Sequence, residues 1–296
     1  MNVGLEVTES AVRAVALSDE GEVMVRVASP VADGGTARAI RETLLRVKRD
    51  ARREISRAAV AVPLARLPSN DIVAAFAEIF PGVDPVTVSA GVATVIAESW
   101  CGAARGLQHV VTLAIGDHVT AGILINGTVW AGAHGFAGSV DWLALNPVER
   151  ADYRRYGGLA AEVDAAGIVR RLIWRVKSGD HSNAVKLVDG DLTRLNVEHV
   201  FQAAREGDGV CISVMRDTVK YVSMAITNVV VVIDPEMVVL GGTLASAGEE
   251  TLEAIRHECT RQLGPAQAER LHLVLSPLGL DAAAIGAARS AALRGE

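Results

Sequence analysis

The chain has 296 residues, 35 acidic against 29 basic side chains, a formal net charge of −6, and 50% hydrophobic but only 4% aromatic content. Half-apolar composition with modest charge excludes a disordered chain. The mild acidity argues against the basic footprint of a general nucleic-acid binder. Length near 300 residues points to two domains or one large one. Cys101, Cys211 and Cys259 lie far apart with no C-x-x-C pair, so neither a disulfide framework nor a zinc cluster is expected. The opening MNVGLEVTES lacks the basic and apolar blocks of a signal peptide. No apolar run approaches the roughly 20 residues that span a bilayer. A soluble, cytoplasmic chain with no membrane partner is expected.

Residues 3–17, a turn at Asp19–Glu20–Gly21–Glu22 and the following Val23–Met24–Val25 read as an opening β-hairpin. Residues 36–53 place Ala37, Ile40, Leu44, Leu45 and Val47 among basic residues, which predicts an amphipathic surface helix. AAVAV at 58–62 is a short buried strand stopped by Pro63. Residues 71–80 read as a helix with Ser69 or Asn70 as its N-cap and Pro81–Gly82 as its stop. A strand at 86–88 and a helix at 91–100 follow. Strands are expected from 110 to 115 and 122 to 125, with Asn126–Gly127 as a hairpin turn into Thr128–Val129–Trp130. Residues 147–175 and 197–205 are mostly helical in pattern, separated by the polar break Asp189–Gly190–Asp191.

Two signals conflict between 210 and 240. Ile212, Met215, Val219, Val222 and Ile226 keep helical spacing, whereas the β-branched run 229–233 has strand propensity. The expectation is a long helix followed by a buried strand, a break at Asp234–Pro235, and a strand from Met237 to Leu240 ending in Gly241–Gly242. A helix at 249–263, a strand at 272–275 and an Ala-rich helix at 281–293 close the chain. Strands followed by helices, twice over, predict an α/β protein with two similar halves.

Three blocks resemble the ROK family (repressors, open reading frames and sugar kinases) of the actin-like ATPase superfamily. The first is GLQHVVTLAIGDHVTAGILINGTVWAGAHGFAG at 106–138. The second is VEHVFQAAREGD at 197–208, similar to the helix that leads into the family's long C-terminal helix. The third is VVVIDPEMVVLGGTLASAG at 230–248, similar to the strand and glycine turn that hold adenosine. The resemblance implies an actin-like ATPase (ribonuclease H-like) fold, two α/β domains around a cleft. The implied boundaries are 1–107 with 278–296 for the first domain and 108–277, with dimerisation helices, for the second. It also implies ATP and Mg as cofactors, a sugar or nucleotide ligand and a homodimer.

Sugar phosphorylation needs a carboxylate base on the sugar hydroxyl and a donor cradle for phosphate. By resemblance the base position falls on Ala90, which cannot accept a proton, and no catalytic residue is assigned. Glu98, eight residues further along the same helix, is about 12 Å away at 1.5 Å per residue. The first phosphate turn retains a carboxylate at Glu6 but carries Thr8 and Glu9 where the family has glycines. Glu9 would set negative charge against a triphosphate. The second turn reads Gly116–Asp117–His118, with Asp117 and His118 as phosphate- or metal-contacting candidates beside a reading as plain turn polarity. The adenosine turn Gly241–Gly242–Thr243 is nearly intact, although a strand-to-helix turn favours glycine in any case.

The sugar-binding Glu and His of the family become Ser139 and Trp142, and Trp142 is expected to fill the vacated sugar region as core, or else to pack at an edge. The segment 146–161 holds no cysteine, so neither structural zinc nor another metal site is expected. The family's second sugar-contacting Glu falls near Ala160, and neighbouring Glu162 is expected to be a solvated helix residue. The leading function is a non-catalytic, ligand-sensing or interacting relative of the sugar kinases. An ATP-dependent hexose or N-acetylhexosamine kinase using Asp117, Asp141 or Asp71 as base is the alternative. A third is the effector part of a ROK-type regulator, with direct DNA contact not expected because the chain begins at the first strand.

Overall fold

The computed structural model describes residues 1–31, 35–63 and 70–293. The expected opening hairpin is a three-stranded meander of Asn2–Val7 (β1), Ala11–Leu17 (β2) and Val23–Pro30 (β3). A first turn interrupts the run at residues 8–10, where the Thr8 N–H donates to the Ala11 carbonyl at 2.9 Å. Gly35–Ala51 (α1), Arg57–Val62 (β4), Asn70–Ile79 (α2), Val86–Ser89 (β5) and Ala90–Cys101 (α3) follow. Asn70 is the first residue of α2 rather than its cap, and Ser69 lies outside the described residues. The sheet order is β3-β2-β1-β4-β5, antiparallel through the meander and parallel from β1 to β5. Ile40 and Leu44 of α1 meet Phe76 of α2 in its core, each such side chain contributing about 1.5–3 kcal/mol on burial.

The second sheet repeats this plan. Val110–Ile115 (β6), Val119–Ile125 (β7) and Thr128–Val129 (β8) form an antiparallel meander. Three short helices, Ala151–Tyr156 (α4), Ala160–Val163 (α5) and Ala165–Lys177 (α6), occupy the expected helical stretch. Val197–Arg205 (α7) and Gly209–Ile233 (α8) lead to Met237–Gly241 (β9), then Glu249–Gln262 (α9), Pro265–Arg270 (α10) and Leu273–Leu275 (β10). The order β8-β7-β6-β9-β10 has the same pattern of antiparallel and parallel pairs as the first sheet. Ala282–Leu293 (α11) returns the chain to β1 and β4.

The run 229–233 is not a strand but the last turns of α8. Buried Val222, Ala225, Ile226 and Val230 continue the helical spacing, while Val232 is 79% exposed. Propensity yields here because the buried positions of the run continue the helical spacing of α8, and β6 is already flanked by β7 and β9. The helix ends at Asp234, which takes the left-handed conformation at φ 52° before Pro235.

The two sheets communicate through the α3–α11 pair. α11 lies on the first sheet and α3 on the second, against β6 and β7. The seam is made of backbone rather than bulk, in keeping with the low aromatic content. A Cβ on Gly286 would sit 1.7 Å from the Ala93 carbonyl oxygen, and one on Gly91 would sit 2.0 Å from that of Ala121. These glycines serve close approach of backbones, not phosphate binding.

Candidate functional site

The β1–β2 turn and the β6–β7 turn, one from each sheet, meet across the cleft. Each turn closes an antiparallel hairpin, Val7 pairing with Val12 and Ile115 with Val119, and carries polar residues at its tip. The Asp117 carboxylate accepts from the Ser10 N–H at 2.8 Å and from the Ser10 hydroxyl at 2.6 Å. His118 Nε2 stands 2.8 Å from the Glu9 carboxylate. Two residues of one turn thus hold two of the other.

Behind this clasp is a small inner cavity of about 70 Å³, lined by Glu6, Arg13, Ala90, Thr94 and the Gly241–Gly242–Thr243 turn, among others. Burial pushes the Glu6 carboxyl from an ordinary 4.5 up to about 7; Arg13 opposes this, Asp117 and Asp281 reinforce it, and His118 opposes it weakly. Arg13 is only 4.0 Å from Glu6, too long for a hydrogen bond. In front of the clasp lies an outer cavity of about 350 Å³. Its walls include Asp141, Trp142, Arg155, Tyr156 and Asp164, with Asp117 and His118 forming the partition between the two spaces. Burial raises both the Asp141 and Asp164 carboxyls above the usual range, and Asp164 accepts the Gly167 N–H as N-cap of α6.

Residues 3–293, nearly the whole chain, match the model of the ROK family. This protein is a member of the ROK family. It is 28% identical to a glucokinase of Thermotoga maritima over 196 residues, 66% of this chain and 62% of that one. It is 25% identical to an Escherichia coli N-acetylglucosamine repressor over 65% of this chain and 46% of that one. The chain therefore spans less than two thirds of the length of these curated relatives. A ROK family glucokinase from Streptomyces griseus, solved with glucose and AMPPNP, superposes with a TM-score of 0.83 at 18% identity, covering 100% of this chain and 99% of that one. A ROK family transcriptional regulator superposes at 0.76 over 98% of this chain and 77% of that one. The fold is thus the actin-like ATPase fold that the two repeated sheets describe.

In this ROK chain the positions singled out in the sequence separate into two groups. Glu6, Ala90, Gly116, Asp117, His118, Gly241, Gly242 and Thr243 all line the inner cavity. Gly242 has a packing reason of its own, since at φ 76° its missing Cβ would fall within 2.6 Å of the Ile115 backbone nitrogen. Trp142 lines the outer cavity and is 52% exposed, so it does not fill that region as core. Polar Asp141, Arg155 and Asp164 line the same space beside Pro63, Val119 and Ala160. Ser139 is turned inward on its own loop, its hydroxyl donating to the Phe136 carbonyl at 2.8 Å. Glu98 is fully buried, accepting from the Ala103 N–H at 2.9 Å and from the Ser276 hydroxyl.

Glu162 corrects the expectation of a solvated residue. Its side chain is 5% exposed and accepts from the Tyr153 hydroxyl and from Arg150 at 3.1 Å, with Arg171 at 3.9 Å. Asn146 adds Tyr221 to this network at 3.3 Å. Among the described residues no three His, Cys, Asp or Glu side chains gather as a metal site. Ser10, Arg155, Tyr156 and Asp164 were not singled out in the sequence. Asp164 alone left a signal, as an Asp followed by the helical pattern of 165–177.

The raised Glu6 carboxyl has a testable consequence. The folded state holds a proton that the unfolded state releases, so the stability contributed by neutral Glu6 is complete below pH 4.5 and lost as pH rises through about 7. Glu6→Gln is expected to flatten this dependence and to raise stability at pH 8 by up to about 3 kcal/mol. Urea midpoints of both proteins at pH 5 and pH 8 measure it.

Proposed function

We propose that this ROK chain is a non-catalytic member that senses a sugar or closely related polyol in the outer cavity. The observation that carries this is the contrast across the clasp: Ser10–Asp117 and Glu9–His118 close the inner space while the outer one stays open. The outer volume falls in the range of small-molecule sites. Trp142 and Tyr156 offer flat apolar faces to the C–H face of a ring, and Asp141, Asp164, His118 and Arg155 offer donors and acceptors to hydroxyls.

The inner side does not fit a nucleotide triphosphate with Mg. About 70 Å³ remains between the turns, and Thr8 and Ser10 line it. Ala90 supplies no base at that cavity. No transfer step is therefore derived through ATP. The repressors among its relatives accord with a regulatory output. Assembly as a homodimer, and ligand-dependent closure of residues 1–107 with 278–296 on 108–277, belong to the same proposal. Among the described residues no helix is long and apolar enough to cross a membrane.

A kinase reading is supported by the glucokinases among the relatives and by one feature of the site. Asp141 lines the outer cavity with its carboxyl raised by burial, the condition of a general base for a sugar hydroxyl. Asp71 lies exposed on α2 and lines neither cavity, and Asp117 is engaged by Ser10. Calorimetric titration with glucose, N-acetylglucosamine and N-acetylmannosamine, each with and without ATP–Mg, tests the proposal. A hexose or acetylated amino sugar is expected to bind without nucleotide, and Trp142→Ala to weaken it by about tenfold. Binding of ATP–Mg with no binding of any sugar would overturn it.

A further inference from the structure

A third cavity, of about 860 Å³, lies among α4, α5, α6 and α8 and shares no lining residue with the two at the clasp. Five of its lining side chains are cationic and three are carboxylates. In a chain of net charge −6 that surplus is a local inversion of sign. The floor is rich in donors. Glu162 is already taken by Tyr153 and Arg150, so Arg171 Nε stands 3.9 Å from it, buried and without a hydrogen-bond acceptor. At the rim, Arg175 pairs with Asp180 at 2.6 Å, Lys220 with Asp217 at 3.7 Å and Arg170 with Asp152 at 3.5 Å, each pair part-exposed. Such pairs contribute little and can exchange an acidic side chain for an incoming anion. Trp174, 71% exposed, adds a flat apolar surface to the same lining.

We infer that this cavity is a binding site for a small organic phosphomonoester of about the size of a hexose phosphate. Guanidinium groups match the geometry of phosphate oxygens and form charge-assisted hydrogen bonds with them. A surplus of two positive charges in the lining balances a phosphomonoester, which carries about −1.5 to −2 at neutral pH. The volume lies toward the upper end of small-molecule sites and far exceeds what a bare anion fills. The remaining space and the Trp174 face accommodate an organic group. The site is separate from the clasp, so it does not depend on whether the outer cavity takes a sugar.

Titrations of the full chain with glucose 6-phosphate, glucose and inorganic phosphate, read by calorimetry and tryptophan fluorescence, test it. Saturable binding of glucose 6-phosphate is expected, at least about tenfold tighter than inorganic phosphate. The double variant Arg175→Glu, Lys220→Glu is expected to weaken it by at least tenfold, and Trp174→Ala to weaken it less, while Trp142→Ala in the outer cavity leaves it unchanged. The substituted side chains are exposed enough to keep the fold, which an unaltered thermal midpoint checks. Equal affinity for inorganic phosphate, no saturable binding, or loss in Trp142→Ala but not in the double variant would each overturn the assignment.

Discussion

Glu162→Ala is expected to destabilise the folded chain by about 3–5 kcal/mol, the usual cost of removing one partner from a buried ion pair. The side chain is 5% exposed and is the acceptor on which Tyr153, Arg150 and Arg171 converge. Its loss strands Arg171, whose guanidinium is also held by the Val214 carbonyl at 3.3 Å and by the Thr218 hydroxyl on α8. The damage would therefore spread from α5 to α6 and α8. Replacing both charges, as in Glu162→Leu with Arg171→Met, is expected to recover much of the loss, because paired removal leaves no uncompensated charge. Urea denaturation of the single and double variants measures both terms. Near-equal stability of Glu162→Ala and the parent would show that the network carries no weight.

The second large effect is at the seam between the sheets. Gly286→Val forces a branched side chain into the 1.7 Å gap to the Ala93 carbonyl oxygen. The atom it meets is backbone of α3, which cannot turn aside like a side chain. Overpacking of a tight core typically costs 1–3 kcal/mol, and here the displaced helix also carries Gly91 against the Ala121 carbonyl oxygen on β7. A loss of about 3 kcal/mol is expected, with the two turns of the clasp pulled out of register. Retained stability and retained sugar binding would show that α3 and α11 tolerate separation.

Much of the fold was legible because its signals were local. The meander strands, the Asn126–Gly127 hairpin turn, with Asn126 at φ 52°, and the amphipathic α1 each follow from their own residues. The β-branched run 229–233 favours a strand by propensity alone, whereas the interior places of the sheet are taken by β6 and β9 and the run ends α8. Its helical continuation was nonetheless present in the spacing of Ile226 to Val230.

The candidate site was legible by position but not by contact. Glu6, Ala90 and residues of both turns, which the resemblance singles out, line one cavity. Nothing in the spacing of residues 9–10 and 117–118, over a hundred positions apart, foretells that they clasp each other. Glu162 was misjudged for the same reason. A helical glutamate reads as solvated until its partners, Arg150, Tyr153 and Arg171, are known to converge on it. Trp142 reads from sequence either as core or as an edge residue, and its place in the lining beside Asp164, Arg155 and Tyr156 depends on neighbours distant in sequence.

The central claim is that sugar occupies the outer cavity without phosphoryl transfer at the closed inner one. ADP release at saturating sugar and ATP–Mg tests it most directly. Release indistinguishable from the sugar-free blank is expected, together with calorimetric binding of the same sugar. Sugar-dependent ADP release that disappears in Asp141→Asn would contradict it.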